Sequence, residues 1–130
     1  MKTHIEPKDV KKKALIAAGG VRGRQMVFLF ANLPLSIERM GNLFHVSSKT
    51  VQRWKERKFA PSQEDVLQKL SRVIEVVELG RKVYTPEGLG EFLTTPLPVF
   101  GHRSAVQLMA EGEYDKVLGA LADDFEGLGF

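Results

Sequence analysis

The stretch LSIERMGNLFHVSSKTVQRWKER, Leu35 to Arg57, reads as two short amphipathic helices joined by a tight turn. Ser36 is placed to cap the first helix, Ile37, Met40, Leu43 and Phe44 fall on one of its faces, and Glu38 sits in its first turn, where the helix dipole favours an anion. His45 occupies the turn. Such a turn needs a positive φ, usually supplied by Gly, and His is one of the few other residues enriched there. Ser47 is placed to cap the second helix, in which Val51 and Trp54 face inward above Val46. Ser48, Lys49, Gln52, Arg53, Lys55 and Arg57 are left turned outward, and four of them are cations. With the capping Ser47 they form the candidate DNA-contacting set of a helix-turn-helix, whose second helix enters the major groove.

This segment resembles the Xre type of helix-turn-helix domain. The resemblance rests on the Leu35-Ser36 opening, the small Gly41, Leu43 before the turn, Val46-Ser47 entering the second helix, and Thr50-Val51 leading to Arg53-Trp54. It implies binding to operator DNA. Proteins of this kind usually bind as two-fold dimers with recognition helices about 34 Å apart, so a homodimer is expected.

Charge is distributed to match. The net +3 conceals 13 Lys and Arg against 4 Asp and Glu up to Ala60, and 6 against 12 from Pro61 onward. A positive half is the electrostatic footprint of a phosphate binder, because neutralising phosphates releases condensed counterions. The acidic half would be repelled by the same DNA and calls for a different partner, or none. A chain of 130 residues buries enough apolar surface to fold without a disulfide or a metal. Cys is absent, which removes thiolate catalysis and zinc-finger chemistry and fits a reducing compartment. The basic start, MKTHIEPKDVKKKAL, lacks an apolar signal core, and the longest apolar run, Met26 to Ala31, falls far short of the roughly 20 residues of a membrane helix. The expectation is a soluble, cytoplasmic protein without membrane contact.

Helical patterns continue on both sides. Asp9 to Ala18 reads as a short helix ended by Gly19-Gly20. Periodicity does not decide between helix and strand for Val21 to Asn32, and the helical neighbourhood favours helix. Phe59-Ala60-Pro61 interrupts the chain, after which Ser62 and Asp65 resemble a capping box opening a long helix with the stripe Val66, Leu67, Leu70, Val73, Ile74 and Val77 and an end at Gly80. Thr85-Pro86 starts another helix, carrying Leu89, Phe92 and Leu93. The prolines of TTPLPVFG exclude a helix there and mark a loop. Ser104 is placed to cap a short helix through Met109, and Glu113 to Phe125 forms the last, with Tyr114, Val117, Leu118, Leu121 and Phe125 on one face. The expected fold is all-α, with a helix-turn-helix part over residues 1–61 and a small helical part over residues 62–130.

From Val51 to Gly127 the chain resembles the C-terminal part of antitoxins of the Xre/MbcA/ParS type, which neutralise RES-domain toxins. Phe92-Leu93 stands where that family has a Trp-Leu pair, Thr95-Pro96 matches its threonine-proline loop, Gly101 to Ser104 its helix start, and Val117, Leu121 and Gly127 its final helix. Ala105 replaces the family's proline, and Asp123 lies where Arg is frequent, so a contact made by that Arg is not carried over. The resemblance implies that the C-terminal half binds the toxin and that its end blocks the cleft where the toxin consumes NAD. Asp123, Asp124, Glu126, Gly127, Leu128 and Phe130 are then the candidate toxin-binding residues. The residues themselves offer some support: carboxylates at the C-terminal end of a helix oppose its dipole, and sequences tend to break local rules at functional sites. A charged, solvated helix end is the plain alternative reading of the same residues.

No enzyme is legible. His4, His45 and His102 lack metal-ligand spacing, Gly19 to Arg24 lacks the context of a phosphate loop, and no nucleophile-base set emerges from spacing. No cofactor is expected. Tyr84 and Tyr114 read as core or interface residues. The alternative function is a helix-turn-helix transcription regulator whose C-terminal half only dimerises.

Overall fold

The computed structural model describes residues 21–56 and 61–127. The helix expected over Asp9 to Ala18, and the candidate residues Arg57, Leu128 and Phe130, lie outside the described residues. Among those described the fold is all-helical: α1 (Val21–Asn32), α2 (Ile37–Phe44), α3 (Ser48–Lys55), α4 (Glu64–Val83), α5 (Pro86–Thr94), α6 (Ala105–Ala110) and α7 (Tyr114–Gly127). One 3-10 turn, Pro98–Phe100, precedes α6. No described helix is long and apolar enough to cross a membrane.

The run MVFLFA lies in a helix, and packing explains why. Met26, Leu29 and Leu33, spaced three and four apart, are buried, so one stripe of α1 faces the core. Phe28 stays half-buried, with the Arg81 guanidinium 5.6 Å above its ring. Asn32 closes the helix by donating from Nδ2 to the Phe28 carbonyl at 3.0 Å.

The central α4 departs from the sequence reading at both ends. Its N-cap is Gln63, with no side-chain capping bond, so the Ser62–Asp65 capping box does not form. The helix starts too late for Ser62 to cap it, and Glu64 and Asp65 instead place anionic charge in the first turn, where the dipole is positive. At the other end the helix runs through Gly80 to Val83. A Cβ on Gly80 would lie 2.6 Å from Leu89 Cδ1, so this glycine permits close approach of α5 rather than ending the helix.

Along α4, Val66, Leu70, Val73, Ile74, Val76 and Val77 are buried, and α7 packs against it with Tyr114, Val117 and Leu121. Each fully buried Leu or Val contributes about 1.5–3 kcal/mol. Arg72 of α4 fastens the pair at its edge through an ion pair with Asp115 of α7, is steadied by Glu75 of its own helix, and has its guanidinium 5.7 Å from the centre of the Tyr114 ring. The carboxylates push the Arg72 pKa upward, the hydrogen bond to Asp115 most of all.

The remaining helices start where local signals place them. Thr85 Oγ1 accepts from Gly88 N at 3.1 Å and Pro86 opens α5. Ser104 and Gln107 form a reciprocal capping box at the start of α6, which the absence of a proline at Ala105 does not disturb. Within TTPLPVFG the first Thr still belongs to α5, which ends at Thr94; beyond it the prolines exclude an α-helix but admit the single 3-10 turn, held between Leu97 and Arg103. The apolar core is continuous across residue 61: Met40, Leu43, Phe44, Val51 and Trp54 join the same cluster as the buried residues of α4 to α7.

Candidate functional site

The helix-turn-helix geometry is built from caps and one close contact. Ser36 Oγ accepts from Arg39 N at 3.2 Å and Ser47 Oγ from Thr50 N at 3.1 Å, so both helices begin where the sequence reading placed them. Between them His45 takes the left-handed conformation, φ 57° and ψ 43°. The chain then folds back so tightly that Val46 N donates to the Gly41 carbonyl at 2.9 Å. A Cβ on Gly41 would fall 2.8 Å from the Val46 oxygen, a backbone atom, which is why a residue without a side chain stands there. Val51 and Trp54 are buried, and the Trp54 ring meets Phe44 edge-on with centroids 5.8 Å apart.

This packing fixes the outward face of α3. Ser47, Ser48, Lys49, Gln52, Arg53 and Lys55 are all exposed. Ser47 has its hydroxyl committed to the cap and to Thr50 Oγ1 at 3.0 Å, while Gln52 Nε2 donates to Glu56 Oε1 at 3.2 Å. Lys49 and Arg53, four apart, stand one turn above another, about 6 Å between their Cβ atoms. Two exposed cations on one turn-spaced row are suited to phosphates or to the acceptor edges of guanines.

The acidic end of α7 forms a second cluster on the opposite half of the sequence. Asp123, Asp124 and Glu126 are exposed, and Gly127 is the last residue of the helix. Asp124 is held in place: Tyr84, at the junction of α4 and α5, donates its hydroxyl to Asp124 Oδ2 at 2.7 Å. The Tyr84 ring in turn stacks on Phe92, with centroids 5.4 Å apart. Burial and the adjacent carboxylate push the Tyr84 phenol up to about 12. Asp123 and Glu126 form no ion pair among the described residues. The sequence reading placed Tyr84 in the core or an interface but had no signal for its tie to a carboxylate 40 residues away.

Among the described residues nothing else assembles into a chemical site. Among the described residues no three His, Asp or Glu stand close enough to hold a metal. His102 is exposed, and His45 spends its ring on a backbone carbonyl, Ala110 O at 2.7 Å. A cleft of about 290 Å³ between α2 and α6 is lined by Arg39, Asn42, Ser104 and Gln107 with Leu43 and Val106, and it holds no carboxylate, His or Tyr.

No protein-family model matches the chain, and no curated protein matches it. Among solved structures it is similar to a chain from the crystal structure of the M. tuberculosis MbcT-MbcA toxin-antitoxin complex, with a TM-score of 0.72 and 22% sequence identity, over 84% of this chain and 96% of that one. At this identity the likeness establishes a shared fold over most of both chains.

Proposed function

We propose that this protein is the antitoxin of a type II toxin-antitoxin system. In this reading its C-terminal region neutralises a RES-type, NAD-consuming toxin by occupying the active site, and its helix-turn-helix binds operator DNA to autoregulate transcription. The observation that carries it is the fold shared, over most of both chains, with a chain of a toxin-antitoxin complex. The division at residue 61 is then one of function: residues 1–61 face DNA and residues 62–130 face the toxin, over one continuous core. Lys49, Gln52 and Arg53 read the operator, with Ser47, Ser48, Lys55 and Arg57 beside them. Two copies pair so that two recognition helices reach successive major grooves. Asp123, Asp124 and Glu126 bring negative charge to a cleft shaped for a dinucleotide's phosphates, and Gly127, Leu128 and Phe130 follow as its plug.

The test is a NAD-consumption assay with the product of the adjacent reading frame, which this reading requires to be a RES-domain protein. The full chain should silence NAD loss, and deletion of Leu128 to Phe130 should restore much of it while leaving operator binding intact. Full neutralisation by the truncated chain would exclude the plug. Failure of the intact chain to bind that protein would leave a helix-turn-helix regulator whose C-terminal half dimerises.

A further inference from the structure

The cleft of about 290 Å³ between α2 and α6 lacks the groups of a catalyst but has those of a binding site. One wall, with Arg39, Asn42 and Leu43, belongs to the helix-turn-helix, and the other, with Ser104, Val106 and Gln107, belongs to the C-terminal half. Its volume sits at the lower edge of the roughly 300–1,000 Å³ typical of small-molecule sites.

The polar groups on these walls are donors left over after the fold has taken its share. Among the described residues the Arg39 guanidinium forms no ion pair and the Asn42 amide no hydrogen bond. Gln107 commits Oε1 to Ser104 N at 2.8 Å, which leaves both hydrogens of Nε2. Ser104 is 4% exposed, and its Oγ accepts from Gln107 N at 3.2 Å, while its own hydroxyl proton goes to no acceptor among the described residues. A buried hydroxyl with an unspent donor favours an acceptor brought from outside. Arg39 is the one charged side chain lining the cleft, so nothing on its walls repels an anion, and its planar fork matches a carboxylate or a phosphate. Beside these donors Leu43 and Val106 supply an apolar surface.

The cleft is also held open at a fixed width. The reciprocal capping box locks Ser104 and Gln107 at one end of α6. At the other end Ala110, itself a lining residue, is tied through its carbonyl to His45 Nε2 at 2.7 Å, and His45 follows directly on α2. A ligand entering here finds its donors already in place and loses little to ordering them.

We propose that this cleft binds a small organic anion. Its carboxylate or phosphate head is held by Arg39, Asn42, Gln107 Nε2 and the Ser104 hydroxyl, and its short carbon body lies on Leu43 and Val106. The site needs neither toxin nor operator, so it goes beyond the antitoxin reading and does not rest on it. Because the ligand touches both walls, it stabilises the folded chain by mass action and joins α2 more firmly to α6.

The test is proton–nitrogen correlation NMR on the full chain, titrated separately with glycerol 3-phosphate and with butyrate, which carry the two heads on short bodies. At least one probe should give saturable shifts at Asn42, Ser104 and Gln107 with a dissociation constant of about 1 mM or below, a modest affinity for about ten non-hydrogen atoms or fewer. The probe that saturates identifies the head. Arg39→Gln, at an exposed position, should keep the thermal midpoint and weaken binding at least tenfold, and Asn42→Ala should weaken it a few-fold. No saturable shift with either probe up to roughly 20 mM would overturn the site. Shifts confined to Lys49, Arg53 and Lys55 and insensitive to Arg39→Gln would assign the anion to the recognition helix and equally overturn it.

Discussion

The imidazole of His45 donates from Nε2 to the carbonyl oxygen of Ala110 at 2.7 Å, joining the helix-turn-helix turn to the last residue of α6. Each end of this bond satisfies a local demand. Carbonyls in the final turn of a helix lack partners within it, and the turn between α2 and α3 requires a left-handed residue. One histidine meets both, and it ties two segments 65 residues apart in sequence.

His45→Asn, which tolerates the left-handed conformation but loses the ring, should cost about 0.5–1.5 kcal/mol of stability in urea unfolding. His45→Ala should cost roughly a further 1–2 kcal/mol, because Ala lacks the short polar side chain that lets Asn occupy the left-handed region. Equal losses for the two variants would show that the backbone geometry of the turn carries no strain.

Trp54 is the only Trp and is 5% exposed, packed edge-on against Phe44. Trp54→Ala should destabilise by about 3–5 kcal/mol and remove DNA binding through loss of the folded state. Native fluorescence should be blue-shifted. A water-exposed emission maximum would contradict the register of α3.

Two glycines in helix interiors should respond to alanine in opposite directions. At Gly119 of α7 nothing lies within 4 Å of the added Cβ, so Gly119→Ala should gain up to about 1 kcal/mol from helix propensity. At Gly80 the added Cβ would sit 2.6 Å from Leu89 Cδ1, and Leu89 is 1% exposed, with nowhere to retreat. Overpacking of about 1–3 kcal/mol should outweigh the propensity gain, and a rise in melting temperature for Gly80→Ala would refute the close approach of α5.

Tyr84 and Tyr114 are the only tyrosines, and both phenols are pushed up to about 12, chiefly by burial, with Asp124 adding to it at Tyr84 and Arg72 opposing it at Tyr114. Their folded pKa values are raised, so the associated stability is fully present below the unfolded value of about 10 and is lost as pH rises from there towards 12. Absorbance titration of tyrosinate should show no native ionisation near pH 10, and the unfolding midpoint should fall between pH 10 and 12. In Tyr84→Phe that alkaline loss should become shallower.

On DNA, Lys49→Ala or Arg53→Ala should each cost roughly 1–3 kcal/mol of specific affinity and relax sequence preference, as expected of side chains that reach base edges. Lys55→Ala and Arg57→Ala should weaken all sequences alike and flatten the salt slope by about one unit per lost phosphate contact. Operator affinity like the parent's in the double variant at Lys49 and Arg53, read by fluorescence anisotropy, would remove α3 as the recognition helix.

The starts of most helices were legible in the chain because a cap acts within three residues of itself. Ser36, Ser47, Thr85 and Ser104 each accept from the backbone N–H three positions on, and the left-handed turn at His45 is equally local. The outward cations of α3 followed from those starts, since 3.6-residue periodicity does the rest. Where a local pattern competed with packing, packing won. Ser62 and Asp65 form no box, Gly80 lies inside a helix rather than at its end, and MVFLFA became a helix because Met26, Leu29 and Leu33 meet the core. The ties of His45 to Ala110, Tyr84 to Asp124 and Arg72 to Asp115 have no sequence signature at all. A side chain's reach is a few ångströms, and which distant group stands within it is set by how whole helices pack, not by the order of residues around either partner.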